Sequence, residues 1–295
     1  MHNPALMHIH SSDSVDEYAS AVQAFLEQEP CARNVLLTVI ESVRTGSAAY
    51  SGPSSFWWVS ADTGAVAGAA SWTPPYALLV SSLPEEAAPG MAAAMLTRAS
   101  ALGIQPHGVN GPEGAADAVA AAWTAATGDV IERERLILLN ELGHLIDVPV
   151  PSGARRRAVL DDVPLLAAWL EAFGAEIEVI VGADPVATAE RFVQAGGYDL
   201  WIDDGVPVCV VGHRVAARVL RVGPVYTPPE HRNRGYGRRL TYEVTAEAIA
   251  RPDVDRAMLF TDAANPVSNS IYRQAGYEPR ERHVEIEFAK RTVAP

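Results

Sequence analysis

The stretch Val225-Tyr-Thr-Pro-Pro-Glu-His-Arg232-Asn-Arg-Gly235-Tyr-Gly237-Arg238-Arg239-Leu240 constrains this chain more than any other part of it. A β-rich run ends near Tyr226 and two prolines stop it. An amphipathic helix follows from about Gly235, with Leu240, Val244 and Ala248 at i, i+4 and i+8. A helix start leaves its first N–H groups without intrahelical partners, and the helix dipole places partial positive charge there. Gly235 and Gly237 lack a Cβ, so an anion can approach this backbone closely. Arg232, Arg234, Arg238 and Arg239 surround the turn with full charges. The segment is expected to cradle a diphosphate. Its spacing is wrong for a Walker A loop, and it lacks the third glycine and downstream acid of a dinucleotide-binding fingerprint.

The charge distribution supports a polyanion site in the same half. The 295 residues carry a net charge of −13, which speaks against general nucleic-acid binding. Residues 1–150 hold 5 basic and 16 acidic side chains, whereas residues 151–295 hold 18 and 20. Lys290 is the only lysine. The remaining cations are arginines, whose planar forks suit phosphate. With Cys31 and Cys209 as the only cysteines, neither a disulfide framework nor a four-cysteine zinc site is expected. No apolar run is long enough to span a membrane and no signal-peptide pattern precedes the first elements, so the expected compartment is the cytoplasm.

The Pro- and Gly-rich stretch 148–157 reads as a linker between a domain over 1–147 and another over 158–295, with Arg155–Arg157 solvated. The second half alternates elements: helices over 159–173 and 185–195, a hairpin around Asp203-Asp204-Gly205, and a long strand over 217–226. The helix from Gly235, a strand over 257–261, a helix over 267–274 and a strand over 283–288 complete it. The first half repeats this order more loosely, with Asp62-Thr63-Gly64 at the hairpin position. A tandem duplication follows from that order.

Arg232-Asn233-Arg234-Gly235-Tyr236-Gly237 resembles the Q/R-x-x-G-x-G/A pyrophosphate loop of the GNAT N-acetyltransferase superfamily. A second block, Asn265-Pro-Val-Ser268-Asn-Ser-Ile-Tyr272-Arg-Gln-Ala-Gly276-Tyr277, is similar to that family's following helix. The gap between the blocks leaves room for one helix and one strand. The resemblance implies an α/β (α+β mixed) fold of two tandem GNAT-like domains, each a mixed, mostly antiparallel sheet flanked by helices. It implies acetyl-CoA as co-substrate, bound where the fourth and fifth strands of the second domain splay apart, and no metal. Val225, Tyr226 and Thr227 would offer backbone groups to the pantetheine and thioester. Arg232, Asn233, Arg234, Gly235, Tyr236, Gly237 and Arg238 would hold the diphosphate. Asn265 and Ser268 would contact the coenzyme, and Tyr272 would be the general acid for the departing thiolate. The acceptor would be a primary amine on a small molecule or a protein. A longer-chain acyl donor, or a coenzyme-binding regulatory module without turnover, are the competing readings.

No carboxylate stands on the strand that enters the loop, where many relatives place a base. Glu230, His231 and His213 are the alternatives, as is a base acting through water. The first half has Glu85 and Glu86 where the second has arginines, and these would repel phosphate. It is expected to be a degenerate copy that helps shape the acceptor site. His2, His8 and His10 read as a ragged terminus; His107 and His144 have no ligand spacing. Trp57, Trp58 and Trp72 are expected in the first core, and Trp201 either in the core or lining an acceptor pocket.

Overall fold

Alternating apolar residues and well-placed turn residues produce the same sequence of elements twice. A computed structural model describes residues 7–47, 50–178 and 184–290. Its first series is β1 (Met7–Ser12), α1 (Val15–Leu26), α2 (Asn34–Thr45), β2 (Ser55–Ala61), β3 (Val66–Trp72), β4 (Leu78–Val80), α3 (Ala88–Leu102), β5 (Gly108–Pro112), α4 (Glu113–Thr127) and β6 (Val130–Leu142). The second is β7 (Ala154–Arg157), α5 (Val163–Ile177), α6 (Pro185–Gln194), β8 (Tyr198–Asp203), β9 (Val206–Ala216), β10 (Val219–Tyr226), α7 (Tyr236–Ile249), β11 (Arg256–Asp262), α8 (Pro266–Gln274) and β12 (Tyr277–Ala289). Element matches element throughout, as the duplication requires. Local chemistry sets the helix starts: Ser14 accepts the Glu17 N–H at 3.3 Å and Asp184 accepts the Ala187 N–H at 3.0 Å. Among the described residues no helix is long and apolar enough to cross a membrane.

The chain forms two compact units. The first comprises residues up to Leu139, Asp262–Ala264 and the chain from Arg280 onward. Its strand order is β1-β2-β3-β4-β5-β12-β6. Trp57, Trp72 and Trp123 fill its core against α3 and α4, together with Val284 and Ile286 of the last strand. The sequence predicts one domain over 158–295, but the body of β12 lies with the first unit instead. His283–Glu287 pair antiparallel with Gly108–Pro112, and Arg282 and Glu113 form an ion pair at 2.7 Å. The physical reason is that β5 offers an edge that only the alternating face of β12 fills: Val284 and Ile286 go into the core while Glu285 pairs with Arg135.

The second unit comprises Asn140–Thr261 and Asn265–Pro279. Its strands run β11-β10-β9-β8-β7. One sheet face packs on α7 through Leu220, Val222, Leu240 and Val244. The other packs on α5 and α6 through Leu200, Val210, Tyr226, Leu166 and Leu170. The expected linker 148–157 is partly structural. Ala154–Arg157 pair with Asp199–Ile202, and Arg155 donates from Nε to the buried Asp199 carboxylate at 2.8 Å. A buried carboxylate has to be paired, and arginines brought in on an edge strand do this.

The conspicuous aromatic and histidine residues resolve simply. Trp201 is buried and donates its indole N–H to the Ser152 carbonyl at 2.7 Å, so it serves the core and lines no acceptor pocket. His8 and His10 lie in β1, where His8 meets Asp62 and His10 stacks on Trp58. His2 falls outside the described residues.

Candidate active site

Strand β10 is the spine of the site. It pairs in parallel with β11 only over Val219–Val222. A bulge between Val222 and Val225 then turns it away, and Val225 and Tyr226 pair with β9 alone. Past the bulge the strands part, and the outer edge of residues 225–227 faces the opening. The parting comes from an irregular insertion in one strand.

The turn after β10 is set by left-handed backbone and an uncapped helix start. Pro229–His231 form one short 3-10 turn, Arg232 is extended, and Asn233 and Gly235 take left-handed backbone angles (φ 63° and 84°). Gly235 is the N-cap of α7 and brings no side chain to it. The first N–H groups of α7 therefore point outward without a capping oxygen. At Gly237 an added Cβ would lie 3.4 Å from Val225, 3.6 Å from Thr227 and 3.8 Å from the Cys209 sulfur, so the helix start sits directly against β10. Uncapped donors, a glycine-imposed turn and positive side chains fit a diphosphate on this structure's own geometry.

The arginines divide by role. Arg234 is exposed on the turn. Arg238 donates to the Gln274 side-chain oxygen, which links α7 to α8. Arg239 is engaged by Glu243 and Asp147 at 2.8 and 3.0 Å. Arg232 donates from Nε to the Thr227 carbonyl at 2.8 Å and meets the Glu176 carboxylate with Nη2 at 2.6 and 2.7 Å. Glu176 belongs to α5, and nothing in the sequence marks it as this partner. The Tyr236 ring is buried in the α7 core and its hydroxyl donates to Asp203. Its backbone N–H is among those at the uncapped start of α7.

The second block is local chemistry. Asn265 caps α8, its side-chain oxygen accepting the Ser268 N–H at 3.1 Å, and the Ser268 hydroxyl donates to the Asn265 carbonyl at 3.3 Å. Tyr272 packs at the margin of the α7 core, edge-on to Tyr277 with ring centroids 6.4 Å apart. Burial raises its pKa, and Cys209 and Tyr277 add to that shift. Tyr272 therefore keeps its proton at neutral pH. Cys209 is buried beside Thr227, and burial pushes its thiol up to about 12. From the sequence Cys209 is only a buried thiol. Its place between Thr227, Gly237 and Tyr272 is visible only once β9, β10 and α7 are assembled.

The three candidate bases separate. His213 binds Asp199 at 2.8 Å, on the sheet face that carries α7. Burial pushes Asp199 up, but hydrogen bonds from His213 and Arg155 and the charges of Arg155 and Arg157 outweigh it and hold the carboxyl below its usual range. His213 is thus part of an ionic network centred on the buried Asp199, which Arg155 extends to the exposed Glu247 (2.7 Å). Glu230 is exposed, and the Nδ1 of His231 is buried without a hydrogen-bond partner.

The first unit keeps the cleft but not the cradle. β4 and β5 pair in parallel over Leu78 and Leu79. Beyond them lies a cavity of about 610 Å³ lined by Ser82, Leu83, Glu85, Pro112, Gly114 and Asp117, among others. Burial raises the Asp117 pKa, and Glu134 and Glu113 raise it further. Among the described residues no arginine lines this cavity. Carboxylates stand where the second unit has its cationic turn.

Comparison with known proteins bears on the same regions. Residues 205–286 match the family described as FR47-like protein. A comparison with curated proteins finds no match. Several solved structures share the whole architecture. A protein from Drosophila has 14% identity and a TM-score of 0.64, covering 97% of this chain and 99% of its own. A GCN5-related N-acetyltransferase from Sphaerobacter thermophilus has 18% identity and a TM-score of 0.62, with 97% of each chain covered. A tandem GNAT protein from the clavulanic acid biosynthesis pathway has 14% identity and a TM-score of 0.59, covering 98% and 100%. This chain has the tandem GNAT fold.

Proposed function

We propose that this tandem GNAT-fold chain is an acyltransferase that moves an acetyl group from acetyl-CoA to a primary amine, using the second unit alone for coenzyme binding. The observation that carries the reading is the uncapped start of α7 set against the parted end of β10, with Tyr272 alongside. The N–H groups of Tyr236, Gly237 and Arg238, with Arg232, Asn233, Arg234 and Gly235 around them, would bind the diphosphate. Backbone groups of Val225–Thr227 and the Asn265 and Ser268 side chains would bind the pantetheine arm. The thioester, when bound, supplies the activated acyl group.

This chain's residues then have two tasks. Backbone N–H groups at Val225–Tyr226 polarise the acyl carbonyl. The amine attacks directly in its neutral form, and its surplus proton leaves through water. Tyr272 gives its proton to the departing thiolate. A phenol of raised pKa is a weak acid, yet the same burial makes a thiolate more basic, as the upward shift of Cys209 illustrates. Residues 1–147 act as a degenerate copy whose acidic cleft repels phosphate.

A second reading, a coenzyme-binding regulator without turnover, draws on the locking of His213 by Asp199. Release of free thiol from acetyl-CoA, measured against a broad set of primary amines, decides between them. An enzyme gives amine-dependent release for some members. A regulator binds coenzyme and releases none. Longer acyl-CoA donors in the same assay test the acyl chain.

A further inference from the structure

We propose that Glu176 is the acceptor's ammonium-binding group, and that Arg232 occupies its place until the coenzyme diphosphate draws the guanidinium away. This rests on the reading above that the α7 turn binds coenzyme. One guanidinium bridges the two sites. Arg232 belongs by position to the anion-binding turn, yet its Nη2 lies 2.6 and 2.7 Å from the two Glu176 oxygens. The same guanidinium stands 5.9 Å from the centre of the Tyr226 ring. The Tyr226 hydroxyl lies 3.5 Å from Glu176, and Trp169 and Phe173 pack against that ring.

A carboxylate beside an aromatic cluster is an environment for a positively charged nitrogen. Arg232 fills it here, and a protonated primary amine has the same requirements. The cluster adjoins the end of β10, past the bulge where the strand leaves β11. An amine held there would sit beside the strand segment assigned to the thioester. Arg232 cannot serve both anions fully. A diphosphate on the turn competes with Glu176 for the guanidinium, and each hydrogen bond the guanidinium forms to phosphate is one withdrawn from the carboxylate. Coenzyme and amine should therefore bind cooperatively, each tightening the other.

The test uses the full chain, with coenzyme A and butylammonium as probes and sodium chloride at equal ionic strength as the control. Calorimetry should show Glu176→Gln binding coenzyme A about two- to five-fold tighter than wild type, the scale of a surface ion pair released. Glu230→Gln removes the same charge from the turn without freeing Arg232, and should change affinity by less. Butylammonium should tighten coenzyme A binding to wild type several-fold, and Glu176→Gln should abolish that coupling. The inference is overturned if Glu176→Gln binds coenzyme A no tighter than Glu230→Gln does, or if the coupling survives the substitution. Wild type that binds no coenzyme A at all instead overturns the underlying functional reading. Glu176 is partly exposed, and unchanged melting of both variants shows that the fold is intact.

Discussion

Two glycines only two residues apart should respond in opposite ways to alanine, because the structure uses them differently. Gly235 sits at φ 84° with open space around an added Cβ, the nearest atom being the Arg238 Nη2 at 3.8 Å. Alanine there meets no neighbour but must adopt a left-handed conformation, which costs about 1–2 kcal/mol. The turn can relieve that cost only by unwinding the N-cap of α7, the geometry that aims the N–H groups at the anion. Coenzyme A affinity should then fall by about 5- to 30-fold, the same free energy expressed as a binding ratio. Gly237 lies inside the helix, where an added Cβ would make ordinary contacts of 3.4–3.8 Å with Val225, Thr227 and Cys209. Gly237→Ala should stabilise the helix by up to about 1 kcal/mol and leave coenzyme affinity nearly unchanged. Calorimetric titration with coenzyme A, beside denaturant unfolding of each variant, measures both effects. The reasoning is refuted if Gly235→Ala binds like wild type, or if Gly237→Ala loses as much affinity as Gly235→Ala.

Two other substitutions follow from the same geometry. Tyr272→Phe should lower kcat by about 10²-fold or more while acetyl-CoA affinity changes little, because a general acid acts only in the transition state; equal losses in steady-state kinetics and in binding would reduce Tyr272 to a packing residue. Asp199→Asn should cost about 1–3 kcal/mol at pH 7, since it removes the buried acceptor of Arg155 and His213 while Arg155 keeps its ion pair with Glu247. The depressed Asp199 carboxyl contributes stability above its unfolded pKa of about 3.9, and this is lost as pH falls through the lower folded value. The gap between wild type and Asp199→Asn in denaturant unfolding should therefore narrow below about pH 4; a constant gap from pH 7 to pH 3 would contradict this role.

What the sequence discloses tracks the distance over which each interaction acts. The turn at Gly235 and the end of β10 at Tyr226 are legible because they depend on residues within a few positions of one another. Arg155 looks solvated in the sequence because its partner, Asp199, lies 44 residues away and is paired only once β7 joins β8. The placement of β12 is hidden for the same reason, since its partner Gly108–Pro112 comes far earlier in the chain. Tyr236 can be read from the motif for its backbone alone, and only packing shows its ring anchoring α7 through Asp203. Glu176 carries no motif at all. Its meaning comes from the end of α5 reaching Arg232, a tertiary contact across 56 residues.

Calorimetric titration of coenzyme A into the purified full chain tests the central claim most directly. One molecule should bind per chain, at a site weakened by Gly235→Ala. Absence of binding, or two equivalent sites per chain, would contradict it.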